Sequence, residues 1–174
     1  MSFLDGLELG WELLRDILTA EPLLTITLVF FFVITSLFSI LIEYVKNRNL
    51  KRSGMLEVDK MSGRRFEEYL KVLLLGRGYR VKLTPASGDY GADLILSIKG
   101  KTIIVQAKRY KKKVGIKAVQ EIASAKNHFK ADECWVITNN FYTKHAIELA
   151  ESNKVCLIDR KKLMQWMLEQ SKSA

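Results

Sequence analysis

Three side chains stand out by type and spacing. Asp93 is followed by Gln106, Ala107 and Lys108, the pattern D-x₁₂-QxK, just past the glycine-rich stretch TPASGDYGA that holds a second acid, Asp89. Taken singly, an aspartate at a strand start caps a turn, and a lysine on an edge strand keeps that edge soluble. Brought together, a carboxylate, an amide and an ammonium group could act on a charged substrate. The charge of the chain says which kind: residues 46–174 hold 27 bases against 13 acids, a net +14, which calls for a polyanionic partner, nucleic acid or anionic lipid.

The elements that must position these groups are legible from periodicity. ADLILSIKGKTIIVQAKRY reads as two strands around a Lys99-Gly100 turn. That turn makes the numbers of opposed residues sum to 199, so Asp93 faces Gln106, and strand alternation sets Lys108 on the same face, diagonal to Asp93. Leu94, Leu96, Ile98, Ile103, Val105 and Ala107 form the other, apolar face. Around the hairpin, the patterns predict a helix over about 63–76 closing on Gly76 and Gly78, a strand at 79–84, and a helix over about 115–130. A strand at ECWVIT, a helix over 142–152, a strand at KVCLID and a terminal helix from about 160 follow. The order αβββαβ followed by αβα implies a three-layer α/β domain.

The text around D-x₁₂-QxK resembles the PD-(D/E)xK nuclease superfamily and, more narrowly, the Mrr-like restriction endonuclease catalytic domain in its QxK form. The resemblance covers about residues 62–168 and rests on GRRFEEYL, GYRVKLTPASGDYGADLIL, IIVQAKRY, VGIKAVQEIASAK, WVITNNFYTKHAIELA and VCLIDRKKL, in that order. It implies a restriction-endonuclease-like fold with a mixed central sheet between helices, and metal-dependent hydrolysis of DNA phosphodiesters. Under it, Asp93 and Gln106 are the metal ligands, with the Ala107 carbonyl, for Mg²⁺ or for Mn²⁺ in its place. Lys108 orients the attacking water and stabilises charge on the phosphate. The neutral Gln106 weakens metal binding unless another carboxylate compensates, and Glu67 occupies the helix position from which related enzymes supply one, with Glu68 about 100° away on the helix and solvated. Asp89 is read as shaping the loop, with Gly88 and Gly91 permitting its tight course.

Arg109, Lys111, Lys112 and Lys113 follow Lys108 directly, and Lys117 comes soon after. Beside a metal site this cluster reads as a track for DNA phosphates; elsewhere a lysine run is a solvated loop. Tyr110 either stacks on a base or packs over the surface. Glu121 stands four residues after Lys117, the spacing of a helix salt bridge, with support of the active site as the alternative. Thr138, Asn139 and Asn140 end a strand, where α/β proteins often bind ligands. His128 and His145 read as surface residues. Cys134 and Cys156 have no ligand partners at metal spacing and read as reduced core thiols.

The first 45 residues differ in kind, holding six acids against one base, a net −5. Leu23 to Ile42 is a twenty-residue run without charge or proline, long enough to cross a bilayer as a helix. The four bases of KNRNLKR follow it, which orients the C-terminal domain toward the cytoplasm. The organisation expected is an acidic amphipathic leader at 1–22, one transmembrane helix at 23–45, a basic linker at 46–62 and the endonuclease domain at 63–170, in a single-pass protein of the cell membrane. The leader, with Leu4, Leu7, Trp11, Leu14 and Leu18 on one stripe, lies along the membrane interface or is a plain helical extension. The partners expected are DNA and the lipid bilayer. Cutting both strands requires two active sites, as in a homodimer, or two sequential nicks. The competing function is a non-cleaving module that tethers DNA to the membrane.

Overall fold

The computed structural model describes residues 3–20, 22–85 and 90–172. It divides into two compact units, Met1–Arg48 and Asn49–Ala174. The first holds helix α1 (Phe3–Ala20) and most of α2 (Pro22–Arg52). Within α2, Pro22–Lys46 has a mean hydropathy of 2.5 and none of it is buried. Thr27, Thr35 and Ser39 return their hydroxyls to the carbonyls of Leu23, Phe31 and Thr35, so these polar side chains expose no unpaired donor. On α1, Leu7 and Trp11 of the expected stripe are exposed.

The second unit begins earlier than its motifs suggest. Met55–Val58 form a single helical turn, α3, and Val58 and Met61 are buried in the core. The segment read as a basic linker, 46–62, is therefore not solvated throughout: two apolar residues three apart seat its last part against the domain. Helix α4 (Gly63–Gly76) follows, started by Ser62, whose hydroxyl accepts the Arg65 N–H at 3.2 Å. It ends where Gly78 takes φ +86° and Tyr79 N–H returns to the Leu74 carbonyl.

Among the described residues, β1 (Arg80–Leu83), β2 (Leu94–Ile98), β3 (Lys101–Lys108), β4 (Glu133–Thr138) and β5 (Val155–Ile158) form one sheet in chain order. The β1–β2 and β2–β3 pairs are antiparallel, and β3–β4 and β4–β5 are parallel, so the sheet is mixed. The hairpin register is the expected one, Leu94 opposite Val105 through Ile98 opposite Lys101. Lys99 and Gly100 both have positive φ, 48° and 81°, the backbone of a two-residue type I′ turn.

Helices cover both faces. Phe66, Leu70, Leu73 and Leu74 of α4 and Leu163 and Trp166 of α7 (Arg160–Lys172) pack on Leu94, Leu96, Ile103, Val105 and Ile137. Val119 and Ile122 of α5 (Ile116–Ala125) and Ala146 and Ala150 of α6 (Lys144–Ser152) pack on Ile104, Cys134 and Val136. Each buried leucine or phenylalanine contributes about 1.5–3 kcal/mol relative to exposure. The α5 helix stops five residues short of the expected 130, at the turn Asn127–Lys130, where Lys130 has φ +48°. Cys134 is buried, but Cys156, on the edge strand β5, is exposed.

A polar clamp ties the domain's entry to its far end. Arg160 donates to both Asp59 oxygens at 2.7 and 2.8 Å and to the Asn139 carbonyl at 2.8 Å, and Asn139 donates to Asp59 at 2.8 Å. The Arg160 hydrogen bond, helped by that of Asn139, holds the Asp59 carboxyl below its ordinary range against the opposing effect of burial. The sign follows: Asp59 stabilises the fold above the unfolded carboxyl pKa of about 4, and that contribution is lost as pH falls through the lower folded value. Asp59→Asn is expected to lower the melting temperature at neutral pH. The gap to the native protein should close below about pH 4, measured by circular dichroism melts across pH.

Candidate active site

Asp93 is the residue before β2, and both neighbouring strands fix its backbone. Its N–H donates to the Val105 carbonyl at 2.8 Å, and its carbonyl accepts from Thr84 N–H at 3.0 Å. The buried Thr84 hydroxyl lies 2.6 Å from the Ala92 carbonyl and 3.0 Å from that of Asp93. Strand β3 runs past the start of β2, so its last backbone groups have no strand opposite on that side. The Asp93 carboxylate fills the place: Oδ2 accepts the Ala107 N–H at 2.7 Å and also the side-chain amide of Gln106.

Gln106 is buried, and after its amide nitrogen is used its Oε1 is left enclosed without a donor. A buried carbonyl oxygen without a partner costs on the order of 1–3 kcal/mol. Beside a carboxylate, such an oxygen suits a hard divalent cation, which takes oxygen ligands. Among the described residues no three His, Cys, Asp or Glu side chains gather as a metal cage. A cation here would rely on a neutral oxygen, which is what Gln106 offers.

Lys108 emerges from β3 on the face expected, that covered by α5, and its Nζ lies 2.8 Å from Glu121 Oε2. Glu121 is 3.9 Å from Lys117, the partner suggested by helix spacing. The structure thus joins Glu121 first to the hairpin lysine. Gly91 explains the fit of α5 against the loop that leads to Asp93: it has φ +87°, and a Cβ there would stand 3.0 Å from the Glu121 carbonyl oxygen. The loop's other expected members, Gly88 and Asp89, lie outside the described residues.

Glu67 sits on α4, whose apolar side packs on the opposite sheet face, and its Oε2 pairs with Arg64 at 2.8 Å. Its neighbour Glu68 is not solvated as read: it is partly buried and 3.9 Å from Arg65. The basic run behind Lys108 is held at its base rather than loose. The Lys108 carbonyl accepts the Thr138 hydroxyl at 2.6 Å, Tyr110 N–H donates to Asn139 Oδ1 at 2.8 Å, and Asn140 donates to the Tyr110 carbonyl at 3.2 Å. Thr138, Asn139 and Asn140 therefore serve as a scaffold for this loop. From it Lys111, Lys112 and Lys113 project exposed, as does Lys117 from α5, while Arg109 is half-buried with its Nε unpartnered. The Tyr110 ring is exposed. His128 is exposed too, and stacks on Tyr90 with ring centres 3.9 Å apart.

Sequence reasoning missed the roles of Thr84, Asp59 and the Ala107 N–H, which depend on contacts between distant segments. For Glu121 a signal existed: Ala118, Val119 and Ile122 mark the sheet-facing side of α5, and Glu121 borders it.

The family model for restriction endonucleases, Mrr_cat, matches residues 58–167. The chain belongs to this family. Among solved structures it is similar to AF1548, a protein of unknown function, with 16% identity and a TM-score of 0.51 over 61% of this chain and 65% of that one. It is also similar to the DNA modification-dependent restriction endonuclease AspBHI, with 18% identity and a TM-score of 0.52 over 74% of this chain and 36% of that one. These likenesses show a shared fold, and the chain spans less than two thirds of either protein. No curated protein matches the chain. The Mrr_cat chain thus carries a restriction-endonuclease-like nuclease domain with a mixed five-stranded sheet.

A methyl group at Gly91 would meet the α5 backbone in a conformation that L-residues rarely adopt. Gly91→Ala is expected to destabilise the domain by about 1–3 kcal/mol, read from the midpoint of urea unfolding.

Proposed function

We propose that this protein is a membrane-anchored, divalent-metal-dependent DNA endonuclease of Mrr type, acting in restriction of foreign or modified DNA. One observation carries the reading: the Asp93 carboxylate, the unpartnered buried Gln106 Oε1 and the Lys108 ammonium share one face of the β2–β3 hairpin. Asp93 and Gln106 would hold Mg²⁺ or Mn²⁺. When bound, such an ion neutralises phosphate charge and acidifies a water.

The chain's own residues do the rest. Ala107 N–H fixes the Asp93 carboxylate, so the ligand oxygen is oriented before any ion or substrate arrives. Lys108 brings a positive charge to the hairpin end, where it can orient the attacking water and stabilise charge developing on the phosphate. Lys111, Lys112, Lys113 and Lys117, with Arg109, supply a positive surface behind it that suits a phosphodiester backbone, and binding through it should weaken steeply with salt. The fold shared with a DNA modification-dependent enzyme supports the choice of DNA. The exposed lysines suit positioning by backbone phosphates.

The anchor rests on Pro22–Lys46, apolar and unburied, with bases clustered at its C-terminal end. The domain would then meet DNA at the cytoplasmic face of the membrane. If so, the full chain stays in the pellet on alkaline carbonate extraction of membranes; release into the supernatant would remove the anchor from the account.

The activity is tested on supercoiled plasmid, methylated and unmethylated, with Mg²⁺ or Mn²⁺. The protein is expected to nick or linearise it, and Asp93→Ala and Lys108→Ala each to slow this by about 100-fold or more. Nicking that persists at the native rate in both variants would overturn the site assignment.

A further inference from the structure

We infer that Glu121 supplies the second carboxylate of the cation site, the charge that a glutamine at position 106 cannot bring. The inference rests on the metal-dependent reading above and names which of this chain's acids completes it. Its ground is a pair of enclosed oxygens. Gln106 Oε1 and Glu121 Oε2 are both shielded from solvent; the first has no hydrogen-bond donor, and the second meets the Lys108 ammonium in an ion pair at 2.8 Å. Gln106 is only 4% exposed and is bonded to Asp93, and Glu121 is drawn to Lys108, the next residue on the same face of β3. The Lys108–Glu121 contact at 2.8 Å is an ion pair without hydrogen-bond alignment, so Glu121 Oε2 retains acceptor capacity.

Charge supports the same assignment. Asp93 and Lys108 alone cancel, and a neutral site holds a divalent cation poorly. With Glu121 the group is left with one net negative charge. Two other acids of the domain are paired with arginines: Glu67 on α4 with Arg64, and Asp59 with Arg160. The helix that carries Glu121 packs against the Asp93 loop at Gly91, where a Cβ would stand 3.0 Å from the Glu121 carbonyl oxygen. A carboxylate from α5 in addition to an amide on β3 keeps the oxygen donors that a hard cation requires.

The test needs no cleavage. Mn²⁺ alone is titrated against the full-length chain in detergent, without DNA, and free Mn²⁺ is followed by its EPR signal. Glu121→Gln is expected to weaken Mn²⁺ binding about 10-fold or more, Glu67→Gln to change it by less than about twofold, and Asp93→Asn to abolish it. The double variant Gln106→Glu/Glu121→Gln moves the carboxylate to the strand and is expected to recover binding to within about threefold of the native chain. Glu121→Asp, which keeps the charge on a shorter stem, replaces Glu121→Gln should the latter not melt cooperatively, with a weakening of about threefold or more expected. Native Mn²⁺ affinity in Glu121→Gln together with its loss in Asp93→Asn would overturn this inference and leave the proposed site standing. Native affinity in Asp93→Asn as well would overturn both. A Glu121 that only steadied Lys108 would leave Mn²⁺ affinity unmoved in Glu121→Gln.

Discussion

The Asp93 carboxylate accepting the Ala107 N–H is the interaction on which the site depends. It exists because β3 outruns β2 and leaves a backbone donor with no strand to pair it. A side chain from the residue before β2 takes the donor, and in doing so an acid is fixed next to Gln106 and one residue from Lys108. Removing that carboxylate would leave a strand N–H unpaired as well as taking a charge from the site, so structure and chemistry are joined at one atom.

The surrounding fold supplies what this contact needs. The type I′ turn at Lys99-Gly100 sets the register that brings Asp93 level with Gln106, and a slip of one residue would turn the acid to the other face. Thr84 holds the backbone of Ala92 and Asp93 from the β1 side. Helix α5 covers the working face and delivers Glu121, and its close approach is eased by the absence of a side chain at Gly91. The opposite face is given to α4 and α7 and to a large apolar core, which gives the hairpin a firm backing. The basic loop hangs from the end of β4 through Asn139 and Asn140, and Asn139 is bound in turn to Asp59 and Arg160. The loop that carries the lysines is thereby coupled to the stretch that enters the domain.

The order of elements, the strand register and the face on which Asp93, Gln106 and Lys108 gather were all readable from the sequence. Alternation and a two-residue turn are local properties, and local properties survive into the fold. What was not readable were the contacts across layers. Glu67 reads as the compensating acid from its helix position alone, and neither its pairing with Arg64 nor the packing of α4 on the other face is written in that position. Glu121 looked like a partner of Lys117 because helix spacing is visible in one dimension, while the nearer charge, Lys108, comes from a strand. Asp59 lies in a polar stretch that reads as linker, and its pairing with Arg160, 101 positions away, ties it into the domain.

The account stands or falls on whether the carboxylate at position 93 is needed for chemistry rather than for holding DNA. A labelled duplex under single turnover, with binding by gel shift and cleavage followed on the same samples, separates the two. Asp93→Asn is expected to retain the native DNA affinity and to lose cleavage with Mg²⁺ or Mn²⁺. Cleavage by Asp93→Asn at the native rate, or a native protein that binds the duplex and leaves it intact with either ion, would contradict it.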